Sequence, residues 1–334
     1  MRLCSKRCAA LAVALALAAA PSFLQATTSC TTQAALLPQD RDALTAAGGR
    51  LALAVQQQNF TALKAALLPA VSGDWEGIRQ AVDNSAPLLQ GGQMQLQSLY
   101  LLDATSLTAP ADAQFFCSNA SGSLTVTLAM RALPPGRYAV VLANAVGGTY
   151  AGQLSFILAW DGPANGWRLG GLTLRPGTLD GHDGVWWWSR ARELAKEGQS
   201  QSWGAWYAYE MARALLLPVD FLTSPNSEKL LAEQAAIKGS PQEAFPLTLA
   251  DGPRTWKIDA MHLDISLLHA DLGVVYESTG VTDPAAQRTE ATAVLSAVLK
   301  AQPSLRTSLH GLWAHAVKDS KSTPILELPM TQIP

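Results

Sequence analysis

The sequence predicts an α+β fold, on three observations. Apolar residues recur at helical spacing over residues 40–68 and again over 184–237. Between them, over 124–175, the period drops to two, the spacing of half-buried strands. After Phe245, strand-like runs enclose one further helix. The 334 residues suffice for roughly two domains with real cores. Only 15% of residues are charged, below the usual value of about 25%, which excludes a disordered polyelectrolyte. The formal net charge of −2 shows no basic excess, so no nucleic-acid partner is expected.

At the N-terminus Arg2, Lys6 and Arg7 precede an apolar stretch over residues 9–24, followed by Leu24-Gln25-Ala26. This layout predicts a signal peptide over 1–26, cut near Ala26, and hence an exported protein, periplasmic or extracellular. Beyond it there is no apolar run of 18 residues, so the mature chain should carry no transmembrane span. Cleavage removes three basic residues and no acidic one, leaving 21 Lys and Arg against 26 Asp and Glu, a net charge of −5. Cys4 and Cys8 leave with the signal. Cys30 and Cys117 remain, and in an oxidising compartment they are expected to pair. The competing reading is one free thiol and one small buried residue.

Leu44, Leu51 and Val55 share one helical face, with Gly48-Gly49 weakening its middle. Asn59 should cap a second, shorter helix carrying Phe60, Leu63 and Leu67 and stopped by Pro69. A weaker helix is expected near 75–82, and a strand at 94–102 after Gly91-Gly92. Four strands then follow at about 124–131, 137–145, 153–160 and 167–175. Pro134-Pro135-Gly136, Gly147-Gly148 and Asp161 to Gly166 mark the turns, so an antiparallel meander is expected.

The opening LALAVQQQNFTALKAALLP and the close GWRLGGLTL of this region resemble the NTF2-like, SnoaL-type cone fold. That resemblance implies a cone domain over 33–178, with helices ahead of a curved antiparallel sheet. Enzymes of the family, of isomerase, dehydratase or hydrolase type, use an Asp/His or similar pair inside the cone. Residues 40–176 contain no histidine, so that chemistry does not carry over. An apolar pocket is the expectation instead. Tyr138, Val140 and Leu142 alternate onto one strand face, as do Phe156, Leu158 and Trp160 on the next, and Tyr138, Phe156 and Trp160 are the expected ligand contacts.

Residues 179–240 read as a helical pair similar to a single tetratricopeptide-type unit. Ala191 and Leu194 lie on one helix, Ala205, Tyr209 and Ala212 on the other. One such unit cannot bury a face alone and is expected to lean on the cone. Trp186, Trp187 and Trp188 cannot all point inward, because each helical step turns about 100°. One should stay exposed, and Trp187 is the expected contact.

Residues 245–334 predict a small α+β domain of order β-β-α-β-β. Strands are expected near 254–267, 271–278, 309–318 and 324–330, and Asp283-Pro284 should start the helix.

His182 and Asp183 are weak candidates for an acid–base pair, against the plainer role of Asp183 as a helix cap. His262 with Asp264, and His269 with Asp271, stand two apart. A metal site needs at least a third ligand, which the sequence does not supply, so no metal is expected. With no Walker-type loop, His-Glu-x-x-His, Cys-x-x-Cys or Gly-x-Gly-x-x-Gly motif, no cofactor is expected either. The leading reading is an exported envelope protein, non-catalytic, that binds a small apolar ligand or an envelope protein partner, or serves assembly. The alternative is an NTF2-like enzyme working with carboxylates alone.

Overall fold

The computed structural model describes residues 28–119, 121–122 and 125–334. The signal segment and its cleavage point lie outside the described residues.

β1 (Ser29–Thr32) leads into three helices, α1 (Pro38–Gln56), α2 (Phe60–Ala66) and α3 (Trp75–Ser85). α1 starts with Pro38 in its first turn, where the missing N–H costs nothing. Gly48 does more than weaken this helix. A Cβ there would lie 2.8 Å from Val141 Cγ1, so the glycine is what lets α1 lie directly on the sheet. Asn59 caps α2, its side chain accepting from Ala62 N at 3.0 Å.

β2 (Gln93–Asp103), β3 (Ala111–Ser118), β4 (Thr125–Leu133), β5 (Arg137–Val146) and β6 (Gly152–Trp160) follow. After them come a short α4 (Gly162–Asn165) and β7 (Trp167–Pro176). Their main sheet runs β1-β2-β5-β6-β7, antiparallel throughout.

The expected four-strand meander is broken at its first member. β5, β6 and β7 form it, but β4 leaves for a second sheet, where it pairs with β3 and with β10 (Leu222–Thr223). The edge of β5 that β4 would need is occupied by β2, in a ladder from Gln93 opposite Val146 to Asp103 opposite Arg137.

Three layers result. The helices cover one face of the main sheet through Leu44, Leu51, Val55 and Leu63 against Val141, Leu154, Phe156 and Leu158. The second sheet covers the other face, through Phe115, Val126, Leu128 and Met130 against Leu102 and Val140. A disulfide between Cys30 on β1 and Cys117 on β3 joins the sheets, with Cα atoms 5.1 Å apart.

β8 (Thr178–Leu179) and β9 (His182–Asp183) form a small ribbon before α5 (Gly184–Lys196), α6 (Ser202–Leu216) and, beyond β10, α7 (Pro225–Ala235). β11 (Leu247–Asp251), β12 (Arg254–Asp264), β13 (Asp271–Glu277), α8 (Pro284–Ala301), the short α9 (Leu305–Ser308), β14 (Gly311–Lys318) and β15 (Lys321–Pro329) complete the chain. The expected β-β-α-β-β order gains an edge strand, β11, giving a sheet in the order β11-β12-β13-β14-β15. Its β13–β14 pair is parallel, and α8 makes the crossover. Asp283 caps α8, accepting from Ala286 N at 2.8 Å.

The helices after the main sheet do not rest principally on it. Trp203, Ala205, Tyr207, Tyr209 and Ala212 of α6 share one apolar core with Leu272, Val274, Leu312 and Ala314 of the last sheet and with α8. The alanines give the close approach anticipated for them, toward a different neighbour. Glu233 of α7 gathers Arg192 Nε (2.7 Å), Trp188 Nε1 (2.8 Å) and the Tyr209 hydroxyl (3.3 Å). Burial and the adjacent carboxylate push the Tyr209 phenol up to about 12.

Candidate ligand site

The inter-sheet layer does not close completely. Beyond Val140, where β4 diverges toward its turn, a chamber of about 680 Å³ opens between the main sheet and β4. Tyr138 of β5, Ile157 and Ala159 of β6 and Gly170 of β7 form its floor. Ala129, Met130, Arg131 and Leu133 form the opposite wall, with Leu68, Ala70 and Val71 and Asp220-Phe221 at the sides. The floor residues share a face because the register pairs Tyr138 with Ala159 and Val140 with Ile157. Phe221 is held in place by its carbonyl, which accepts from Ala129 N at 2.9 Å, just ahead of β10. This volume lies within the range of small-molecule pockets, roughly 300–1,000 Å³.

Three polar groups interrupt the apolar lining. The Tyr138 hydroxyl donates to Pro134 O at 2.8 Å, and burial raises its pKa, keeping it a neutral donor. Asp220 is engaged by Arg175 Nη2 at 2.8 Å. Arg131 is exposed at the rim and has no ion pair among the described residues. The chamber is therefore a greasy recess with one uncommitted positive charge at its mouth.

Of the sequence-derived contacts, Tyr138 is the one that lines this chamber. Phe156 sits on the opposite face of β6, fully buried among the helices, because it pairs with Val141 and not with Val140. Trp160 shares that other face at the sheet's end, 38% exposed and edge-on to Trp167. The two alternating runs thus look to opposite sides of one sheet. Trp187 turns inward and is 4% exposed. The outward member of its triplet is Trp186, at 40%.

The His182 ring stacks on the Trp186 indole at 3.6 Å, and Asp183 caps α5 by accepting from Trp186 N at 2.8 Å. Asp183 is thereby engaged in starting the helix, and His182 in the stack.

Of the remaining four histidines, His262 and His315 lie on β12 and β14, and His269 and His310 just ahead of β13 and β14. His262 and Asp264 of β12 lie near His315 of β14, and Asp271 of β13 lies near His310 and Glu327 of β15. His310 Nδ1–H donates to Asp271 Oδ1 at 2.9 Å, and His269 Nδ1–H to Asp180 Oδ1 at 2.6 Å, with the two rings stacked 3.9 Å apart. Burial raises the Asp271 pKa against the pull of His310. Burial, then the nearby Asp271 charge, raises that of Glu327.

Arg131 and Phe221 were not legible as chamber residues. Arg131 alternates as an outward residue of its strand, and Phe221 reaches the wall only through the β10 pairing. Compared with known proteins, the chain matches no family model, no curated protein and no solved structure.

Proposed function

We propose that this chain is an exported binding protein whose inter-sheet chamber takes a small apolar molecule bearing an anionic end group. The observation that carries the reading is the chamber itself: apolar walls, a tyrosine donor inside and an unpaired guanidinium at the rim. Burying an apolar body there gains roughly 25 cal/mol per Å² removed from water. A carboxylate or sulfonate at the mouth would meet Arg131 in a charge-assisted hydrogen bond. Export is supported by the signal-like N-terminus, by the Cys30–Cys117 disulfide and by the lack of any helix long and apolar enough to cross a membrane among the described residues.

Titration of the disulfide-intact protein with anilinonaphthalene sulfonate and with decanoate tests the reading. One saturable site is expected, competed by either compound. Ala159→Trp fills the chamber floor and should weaken binding by more than about tenfold, some 1.4 kcal/mol, at an unchanged melting temperature. Arg131→Ala should weaken decanoate while sparing decanol. Binding that is unsaturable, or indifferent to Ala159→Trp in a folded variant, would overturn the assignment.

A further inference from the structure

We propose that His262, Asp264 and His315 form a binding site for one divalent transition-metal ion of the zinc class, independent of the inter-sheet chamber.

The geometry begins with strand parity. His262 and Asp264 are two apart on β12 and so lie on one face. His315 of β14 reaches that face through the ladders Val275–His315 and Ala260–Val275. β12 and β14 are not neighbours, because β13 runs between them. Backbones two strands apart stand about 9.5 Å from each other, too far for a shared ion unless the side chains lean across the middle strand.

Gly273 permits that lean. It faces His262 in the ladder, and a Cβ at Gly273 would lie 2.6 Å from His262 Nε2 and 2.7 Å from Cε1. The imidazole therefore occupies the space a side chain would take and extends toward His315. The two rings come to 5.5 Å between centroids, and ligand atoms of all three residues lie within 4.8 Å of one another. Donors on a tetrahedral ion with bonds of 2.0–2.2 Å are about 3.3–3.6 Å apart. The exposed His262 ring can rotate to close that difference.

The donors are also free. His315 Nε2 is buried with no hydrogen-bond partner, a costly arrangement unless something takes its lone pair. Asp264 Oδ1 accepts from Ser266 N at 3.0 Å and Ser266 Oγ at 2.6 Å, which orients the carboxylate and leaves Oδ2 available. The neighbouring set of Asp271, His310 and Glu327 is less suited. Its histidine is already bonded to Asp271, itself 1% exposed. Two imidazoles with one carboxylate suit zinc, nickel or cobalt and not magnesium or calcium, and the exposure of His262 leaves a coordination position facing water.

The test is isothermal titration of untagged, chelator-treated protein with zinc chloride, with bound metal counted by mass spectrometry and cobalt(II) absorption reporting nitrogen ligation. One zinc per chain is expected, with negligible magnesium binding. His262→Gln, at an exposed position, should weaken zinc by at least about tenfold, the lower end for disturbing a metal site. Gly273→Ala should do the same while leaving every ligand in the sequence. Melting curves in chelator identify folded variants. No zinc uptake, or uptake unchanged in folded His262→Gln, overturns the proposal. Loss of zinc in Glu327→Gln with His262→Gln unaffected would overturn it in favour of the neighbouring carboxylate set.

Discussion

Replacing Cys30 by Ser and Cys117 by Ala opens a covalent loop spanning a sequence separation of 87. In the chain-entropy account, closing a loop of that length restricts the unfolded chain by a constant of about 0.6 kcal/mol plus a logarithmic part of about 4 kcal/mol at 298 K. Measured bridges usually deliver 2–4 kcal/mol of such totals, so a loss of about 3–4 kcal/mol is expected. The bridge joins β1, an edge strand of the main sheet, to β3, an edge strand of the second, so the loss should be local before it is global. Urea unfolding with and without reductant gives the magnitude. Hydrogen exchange read on peptides from β1, β3 and β14 gives the location. Wild type under reductant should lose protection in β1 and β3 first, with β14 the last to respond. A shift below about 1 kcal/mol in the double variant, or equal loss of protection at all three strands, would refute this reasoning.

Trp203→Ala should cost about 3–5 kcal/mol, because the ring is 4% exposed and packs against Tyr207 and Phe245. Trp186→Ala should stay within about 1 kcal/mol, since that ring is 40% exposed, stacked on His182 and met edge-on by Trp187 at 4.9 Å. Denaturant titrations of both variants decide it, and equal losses would disprove the difference in burial. Glu327 offers a pH prediction. Its folded pKa is raised, so the protonated carboxyl stabilises at low pH and that contribution is lost as pH climbs through the folded value. Glu327→Gln should therefore be the more stable protein at neutral pH, the difference vanishing as pH falls below about 4. A difference independent of pH would contradict the assignment.

Local signals were readable where the physics is local. Asn59, Asp183 and Asp283 were recognisable as caps because a cap bonds an N–H three residues on and needs no distant partner. Cys30 and Cys117 were recognisable because they are the two thiols outside the expected signal segment. What failed was non-local. Alternation in β4 is the same whether the strand joins β5 or β3, so its sheet depends on β2 claiming the β5 edge first. The same ignorance of strand pairing put Tyr138 and Phe156 on one imagined face, though each strand's own parity was right. Nothing local says that β14 stands one strand removed from β12, so His315 could not be joined to His262 and Asp264. Gly48 read as a weakening of its helix, and Gly273 carried no signal at all. Both are clearances for a neighbour.

The β10 pairing bears on how this chain can be divided. Leu222 and Thr223 seal Leu128 and Thr127 of β4, although they arrive from beyond α6. The preceding turn is anchored by Gln153 Nε2 on Leu215 O at 2.6 Å, Ser155 Oγ on Pro218 O at 3.2 Å and Arg175 Nη1 on Leu217 O at 2.7 Å. A fragment ending at the last residue of the N-terminal sheets would lack this patch. It would show the bare margin of β4 to solvent, an invitation to self-association, and leave one side of the chamber unwalled. A cut made at residue 178, where the family resemblance ends the first domain, would yield a sticky half-sandwich. A fragment carried through Thr223 keeps that margin covered.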